Sequence, residues 1–205
     1  MRIYGHPGSI CTNRVLFALA EKGLEAELVR VDLATGEHRA AAHLARHPFG
    51  VIPVLEDDGG LLYESRAIMR YIADLAGPRL VPEATRARAE MEQWISVEQS
   101  YVAPPVSAIL QQKFLAPARG LPIDLAAVDA ARAQLATALD VLDRALANRP
   151  YLAGDTFSLA DISLAPVFGM IHVLAEQAVV APRQGVAAWW ERVSSRPTWA
   201  RVAAG

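Results

Sequence analysis

The chain has 205 residues, 53% of them hydrophobic and 20% charged, with a formal net charge of −2. That length supports one or two domains with a substantial core, and the lack of any basic block argues against nucleic-acid binding. A single cysteine, Cys11, excludes an internal disulfide framework. No run approaches the roughly 18 apolar residues of a membrane span, no apolar leader follows Met1, and the expectation is a cytoplasmic protein that binds no membrane.

In chain order, Arg2–Tyr4 is predicted as a short strand and Gly5-His6-Pro7-Gly8-Ser9 as a turn. Thr12 to Lys22 reads as a helix with Val15, Leu16 and Leu19 on its buried side, stopped by Gly23. Glu27–Val31 alternates weakly, as a second strand. A short helix is expected between His38 and Ala45, followed by a turn at His47-Pro48-Phe49-Gly50. Strands Val54–Glu56 and Leu61–Tyr63 flank Asp57-Asp58-Gly59-Gly60, a strong hairpin signal. Ser65 to Leu75 brings Ile68, Met69, Ile72 and Leu75 to helical spacing.

Gly77-Pro78 and Pro82 then break the pattern, which places a first domain at 1–77, a linker at 78–86 and an all-helical domain at 87–205. Arg86 to Tyr101 is predicted as a helix interrupted or ended at Pro104-Pro105. Helical character resumes from Ile109 to Phe114, and Pro117 to Pro122 reads as a loop. A long helix carrying Val128, Leu135, Leu139, Leu142 and Leu146 ends before Pro150; further helices are expected at Ala160–Glu176 and Val186–Arg192, with a last turn from Pro197. The order βαβ, ββα, then five or more helices predicts a four-stranded mixed sheet followed by a helical bundle.

Two constellations carry chemistry. The first joins Gly50-Val51-Ile52-Pro53-Val54 to Glu64-Ser65-Arg66. A proline entering a short β run suits a bend, with a cis peptide allowed, that leaves backbone groups open. Glu64 and Ser65 then open a helix whose N-terminus suits a carboxylate, so the two segments suit an extended, charged ligand. The second is Ser158-Leu159-Ala160-Asp161, which has capping-box spacing before a helix apolar on nearly all sides, and so a structural role. His43 and His47 are four residues apart, but no carboxylate completes a metal pattern, and no metal is expected.

With these residues in view, the chain resembles the cytosolic glutathione transferases, most closely the phi class and its bacterial relatives. The resemblance is carried by Gly5-His6-Pro7-Gly8-Ser9, Gly36-Glu37-His38, Pro48-Phe49-Gly50-Val51-Ile52-Pro53, Glu64-Ser65-Arg66-Ala67-Ile68, Ser158-Leu159-Ala160-Asp161, and Trp189-Trp190 followed by Arg196-Pro197. It implies a thioredoxin-like α/β domain, an all-α domain, a homodimer, and glutathione as co-substrate for attack on a small hydrophobic electrophile.

The resemblance also implies site residues. Ser9 matches the serine that donates a hydrogen bond to the glutathione thiolate. Tyr4 is a rival donor, and Cys11 a rival that forms a mixed disulfide. Ile52-Pro53 matches the element whose backbone pairs with the cysteinyl part of glutathione. Glu64 and Ser65 match the pair that holds the γ-glutamyl end, and His38 and Arg39 approach the glycyl carboxylate. Val51 stands where many phi-like chains have glutamine, which predicts weaker affinity or a backbone-only contact. Ile10, Leu33, Tyr101, Ile109, Phe114 and Phe168 are candidate walls for the electrophile, and Phe49 is a candidate dimer contact. A glutathione-dependent peroxidase or thiol transferase, and a non-catalytic ligand-binding protein of the same fold, are the alternatives.

Overall fold

In the computed structural model, which describes residues 1–204, four short strands form one mixed sheet in the order β2-β1-β3-β4. Strand β1 (Arg2–Gly5) pairs in parallel with β2 (Glu27–Arg30) and antiparallel with β3 (Val54–Asp57), which in turn pairs antiparallel with β4 (Gly60–Tyr63). A parallel pair needs a crossover, and α1 (Ile10–Lys22) supplies it. The β3–β4 pair needs only a tight turn. Asp58 and Gly59 take φ values of 47° and 76°, the left-handed geometry that a two-residue hairpin demands. The central strands bury Ile3, Val54 and Leu55, whereas Glu27 and Arg30 are exposed on the edge strand β2.

Gly23 ends α1 in the left-handed conformation at φ 67°, its N–H shared between the Ala20 and Leu19 carbonyls. The buried face of α1 packs on α3 (Ser65–Asp74), whose Ile68, Met69 and Ile72 have no exposed surface. The single helix expected between His38 and Ala45 is two pieces, a 3-10 turn at Glu37–Arg39 and α2 (Ala41–Leu44). Ala40 separates them with extended backbone, φ −68° and ψ 150°.

Beyond the linker, helical backbone runs without a break from Thr85 to Ala118: α4 (Thr85–Val97), a π turn (Glu98–Val102), α5 (Ala103–Leu110), a second π turn (Gln111–Leu115) and α6 (Ala116–Ala118). Of the two expectations at Pro104-Pro105, an end or an interruption, the structure shows an interruption. A proline clashes with the carbonyl four residues back and lacks a donor. The first π turn widens the backbone immediately before the pair, with the Ala103 N–H bonded to Glu98 O, so both rings enter the opening turn of a new α segment. Helix α7 (Leu125–Leu146) follows, capped by Asp124, which accepts from the Ala127 N–H at 3.0 Å. The expected helix through Glu176 ends earlier: α8 (Leu159–Val173) stops because Ala175 turns to φ 57°. Short α9 (Gln177–Val180), α10 (Gln184–Ser194) and α11 (Pro197–Ala204) complete the chain.

Packing divides the chain into two compact units, Met1–Val81 together with the segment from Ser195 onward, and Pro82–Ser194. The last segment, assigned to the helical domain in the sequence, thus belongs with the first unit. Buried Glu21 on α1 holds it, accepting from Arg196 Nε and Nη2 at 2.7 and 2.6 Å and from the Thr198 hydroxyl. The Phe17 and Trp199 rings meet edge to face at 5.3 Å.

The second unit is organised by Asp161, which is fully buried at the start of α8. Its Oδ1 accepts from Trp189 Nε1 at 2.8 Å and Leu152 N at 3.1 Å, and its Oδ2 from Ser158 N at 2.9 Å and Ser158 Oγ at 3.2 Å. Burial pushes the carboxyl above the usual range, and the four bonds oppose that rise. One side chain therefore ties the cap of α8, the preceding loop and α10 together. Asp161→Ala strands these donors in a dry core and is expected to cost about 3 kcal/mol or more, a fall in melting temperature of roughly 6–12 °C for a chain of this size. Scanning calorimetry checks this, and a loss below about 1 kcal/mol contradicts the role.

Candidate functional site

Sheet register gathers the candidate residues of the first unit. Tyr4 lies opposite Val54, and Val54 opposite Tyr63. The residues that follow β1, precede β3 and follow β4 therefore all emerge at one end of the sheet. Ser9, Ile52-Pro53 and Glu64-Ser65 belong to these three exits. Gly5 also pairs with Arg30, so the segment after β2, with Leu33, His38 and Arg39, leaves from the same end.

The exit from β1 is a tightly bonded corner. The buried Thr12 hydroxyl accepts from the His6 N–H at 3.2 Å, His6 Nδ1 from the Gly8 N–H at 3.1 Å, and His6 O from the Ser9 N–H at 2.9 Å. A Cβ on Gly5 would come within 2.7 Å of Thr12, so only glycine fits there. Half-buried Ser9 is the N-cap of α1, its Oγ accepting from the Thr12 N–H at 3.3 Å. That bond uses a lone pair and leaves the O–H proton uncommitted among the described residues. Capping and donation to a ligand are thus compatible in one hydroxyl.

The two rivals are placed differently. Tyr4 is buried and donates its phenol to Glu56 Oε2 at 2.5 Å, with the Arg46 guanidinium 4.2 Å from its ring centroid. Its proton is committed, so it is not available as thiol donor. Cys11 is half-buried in the first turn of α1, its sulfur 3.6 Å from Arg14 Nη1.

At the second exit the Ile52–Pro53 peptide is cis. Buried His43 donates from Nε2 to the Val51 carbonyl at 2.8 Å. That bond requires a proton on Nε2, and Nδ1 meets no partner among the described residues. The Ile52 N–H and C=O have no partner within the described residues, an open backbone edge one residue from the sheet. The Val51 side chain is exposed and makes no polar contact. Gly50, at φ 60°, lies where a Cβ would come within 3.0 Å of His38 O and 3.1 Å of Leu44 Cδ2, so this turn closes tightly on the His38 loop. His38 Nδ1 is buried without a partner among the described residues, and Arg39 is exposed.

At the third exit Glu64 takes φ 71° and ψ 105°, an uncommon conformation for a residue with a Cβ, and its side chain does not cap α3. The Glu64 carbonyl accepts from both Ala67 and Ile68 at 2.9 Å. The N–H of Ser65, itself only 4% exposed, has no acceptor within the described residues. Its Oγ accepts from Arg14 Nη1 at 2.7 Å. A helix start with open donors and no acidic residue in its first turn attracts an anion. Nearby His47 is buried, and desolvation holds its pKa below the ordinary value in spite of Glu64. Its Nδ1 accepts from the Phe49 N–H at 3.4 Å. Phe49 is 71% exposed, edge-on to the His47 and Tyr63 rings.

Of the residues expected to face an electrophile, Ile10 is half-buried and Leu33 exposed on the first unit. On the second, Tyr101 and Phe114 are exposed within the two π turns, and Tyr101 borders a groove of about 490 Å³ with Val97, Gln134, Thr137, Ala138 and Val141. Ile109 and Phe168 are corrections. Neither has any exposed surface: Ile109 shares the buried face of α5 with Pro105 and Val106, and Phe168 packs edge-on against Trp189 at 4.9 Å.

Two residues with polar contacts in this region, Arg14 and His43, were not singled out in the sequence as site residues. Arg14 carried a signal, because it shares the buried stripe of α1 with Phe17, Ala18 and Glu21 at helical spacing.

A family model described as Glutathione S-transferase, N-terminal domain, matches residues 1–74, and one described as Glutathione S-transferase, C-terminal domain, matches 103–197. Glutathione S-transferase F10 of Arabidopsis thaliana is 39% identical over 197 residues, which cover 94% of this chain and 92% of that protein. The crystal structure of glutathione transferase F7 from Populus trichocarpa superposes with a TM-score of 0.94 at 41% identity, over 99% of this chain and 97% of its own. Glutathione S-transferase I from maize, in complex with an atrazine glutathione conjugate, gives a TM-score of 0.92 at 35% identity, over 99% of this chain and 96% of its own.

The His43 contact yields a test. His43→Leu leaves the Val51 carbonyl without its donor and frees the segment that precedes the cis bond. By calorimetric titration, glutathione affinity is expected to fall about tenfold, the weight of one hydrogen bond in a dry site. His43→Gln, which carries a donor on a side chain of similar reach, is expected to retain most of it. Equal affinity in all three proteins contradicts a role for this bond.

Proposed function

The chain belongs to the glutathione S-transferase family, among relatives of the plant phi class, and from that premise we propose that Ser9 donates a hydrogen bond from its hydroxyl to the sulfur of bound glutathione and so favours the thiolate. The observation that carries this reading is the uncommitted Ser9 O–H at the start of α1, at the same end of the sheet as the open Ile52 backbone and the Ser65 N–H.

A free thiol has a pKa near ~8.5 and is mostly protonated at neutral pH. Serine is too weak a base to remove that proton. A hydrogen bond to the charged form lowers the thiol pKa instead, and the α1 N-terminus adds favourable potential. The proton leaves to solvent, and the sulfur lone pair forms a bond to the electrophilic carbon as the leaving group departs with its electrons. No covalent bond to the enzyme forms.

In this reading the cysteinyl part of glutathione pairs with the Ile52 backbone as a short added strand. Because Val51 contributes no side-chain hydrogen bond, its position offers the ligand backbone alone. The γ-glutamyl carboxylate takes the Ser65 N–H and hydroxyl, and exposed Glu64 faces the ammonium group. His38, with its open Nδ1, and Arg39 serve the glycyl carboxylate. The atrazine conjugate held by the maize relative supports a hydrophobic electrophile. Ile10 and Leu33 offer apolar surface for it on the first unit. No helix of the described residues is long and apolar enough to cross a membrane, and the reading places the enzyme in the cytoplasm. It also makes the enzyme a homodimer, with the exposed Phe49 as a contact to the second copy.

Conjugation of glutathione to 1-chloro-2,4-dinitrobenzene, followed across roughly pH 6 to 9, tests the catalytic assignment. Ser9→Ala is expected to lose about tenfold or more in kcat/KM, with the apparent pKa of the rate profile raised by about one unit. An alanine variant with the wild-type profile overturns it. For the dimer, Phe49→Ser is expected to shift sedimentation equilibrium toward monomer, and an unchanged dissociation constant removes Phe49 from the interface.

A further inference from the structure

We infer that Arg14 is a positioning residue for the γ-glutamyl carboxylate: it orients the Ser65 hydroxyl and places a fixed positive charge beneath the open N-terminus of α3. The inference rests on the glutathione reading above.

Arg14 is only 1% exposed. A guanidinium keeps its charge at any ordinary pH and has five donors and no acceptor. Two partners of its Nη1 are neutral, the Ser65 hydroxyl at 2.7 Å and the Cys11 sulfur at 3.6 Å. Because arginine can only donate, Ser65 Oγ is the acceptor in that bond. The Ser65 proton therefore points away from Arg14 and is free to join the Ser65 N–H as a second donor. The resulting cradle lies at the N-terminus of a ten-residue helix that has no side-chain cap and no acidic residue in its first turn. Helix potential, the Ser65 N–H and hydroxyl donors, and the guanidinium charge all favour one anion at this point. In the glutathione reading, the α-carboxylate of the γ-glutamyl group is the anion available.

A purely structural arginine predicts losses that do not depend on the ligand. The test therefore compares two ligands by calorimetric titration: glutathione, and glutathione whose γ-glutamyl α-carboxylate is converted to the amide. Wild type is expected to prefer glutathione by about tenfold or more, the scale of one charge-assisted contact. In Arg14→Met that preference is expected to collapse through weaker glutathione binding, while the amide binds as it does to wild type. KM for glutathione rises accordingly, and kcat at saturation stays within about threefold. Arg14→Lys, which restores the charge without the fork, is expected to recover part of the preference. Equal losses for both ligands, or none for either, overturn the inference. Should Arg14→Met fail to fold, a double-mutant cycle between Arg14→Lys and Ser65→Ala decides. Arg14→Lys is expected to have little further effect on glutathione affinity once Ser65 lacks its hydroxyl, and additive losses overturn the inference. A wild type that binds neither ligand overturns the glutathione reading itself, and this inference with it.

Discussion

A helix start leaves backbone N–H groups without partners, and a buried donor must find an acceptor. The chain meets that constraint in two ways. Asp124 closes the start of α7, Ser158 and Asp161 close that of α8, and Asp143 accepts from the Val186 N–H at 3.1 Å in the first turn of α10. These ends are finished from within the fold. The start of α3 is not. Ser9 caps α1 with one lone pair and keeps its proton, and α3 begins at a residue with φ 71° that caps nothing. The start of α4 also lacks a side-chain cap, so openness alone does not mark a site. The sheet register brings the starts of α1 and α3 to one end, beside an unpaired backbone segment, and the functional reading follows from that placement.

Elsewhere the chain gathers donors on two buried carboxylates. Donors converge on Asp161 in the second unit, and on Glu21 where the last helix returns to the first. Gly5 and Gly50 sit where a Cβ would collide with Thr12 or with the His38 loop, so the two turns carrying site residues are held by close packing. A ligand that meets donors already held in place loses less to ordering them. Arg14 belongs to the same logic: its bond to Ser65 Oγ at 2.7 Å holds that hydroxyl in place at the start of α3.

Much of the fold was legible in the sequence because its signals are local. Gly23 stops a helix, Asp57-Asp58-Gly59-Gly60 turns a hairpin, and Ser158 with Asp161 has capping-box spacing. Pro104-Pro105 left an end or an interruption open, and the preceding π turn decides for the interruption. The misreadings arose where a local signal met a tertiary answer. Ser195 onward follows the helical domain in sequence yet packs in the first unit, through Glu21 and Phe17. Ile109 and Phe168 are apolar residues that sequence cannot sort between a wall and a core, and burial sorts them. The three segments of the candidate site were legible as motifs. Their convergence comes from register, and the contacts of Arg14 and His43 come from packing across elements that no spacing rule reports.

The central claim is that this unit of the chain holds glutathione as a thiolate. The most direct measurement is an ultraviolet titration of the thiolate absorbance of glutathione bound to the wild-type protein. The account predicts that the bound thiol ionises at least about one unit below the free-thiol value of ~8.5. A bound thiol that titrates at or above the free value would contradict it.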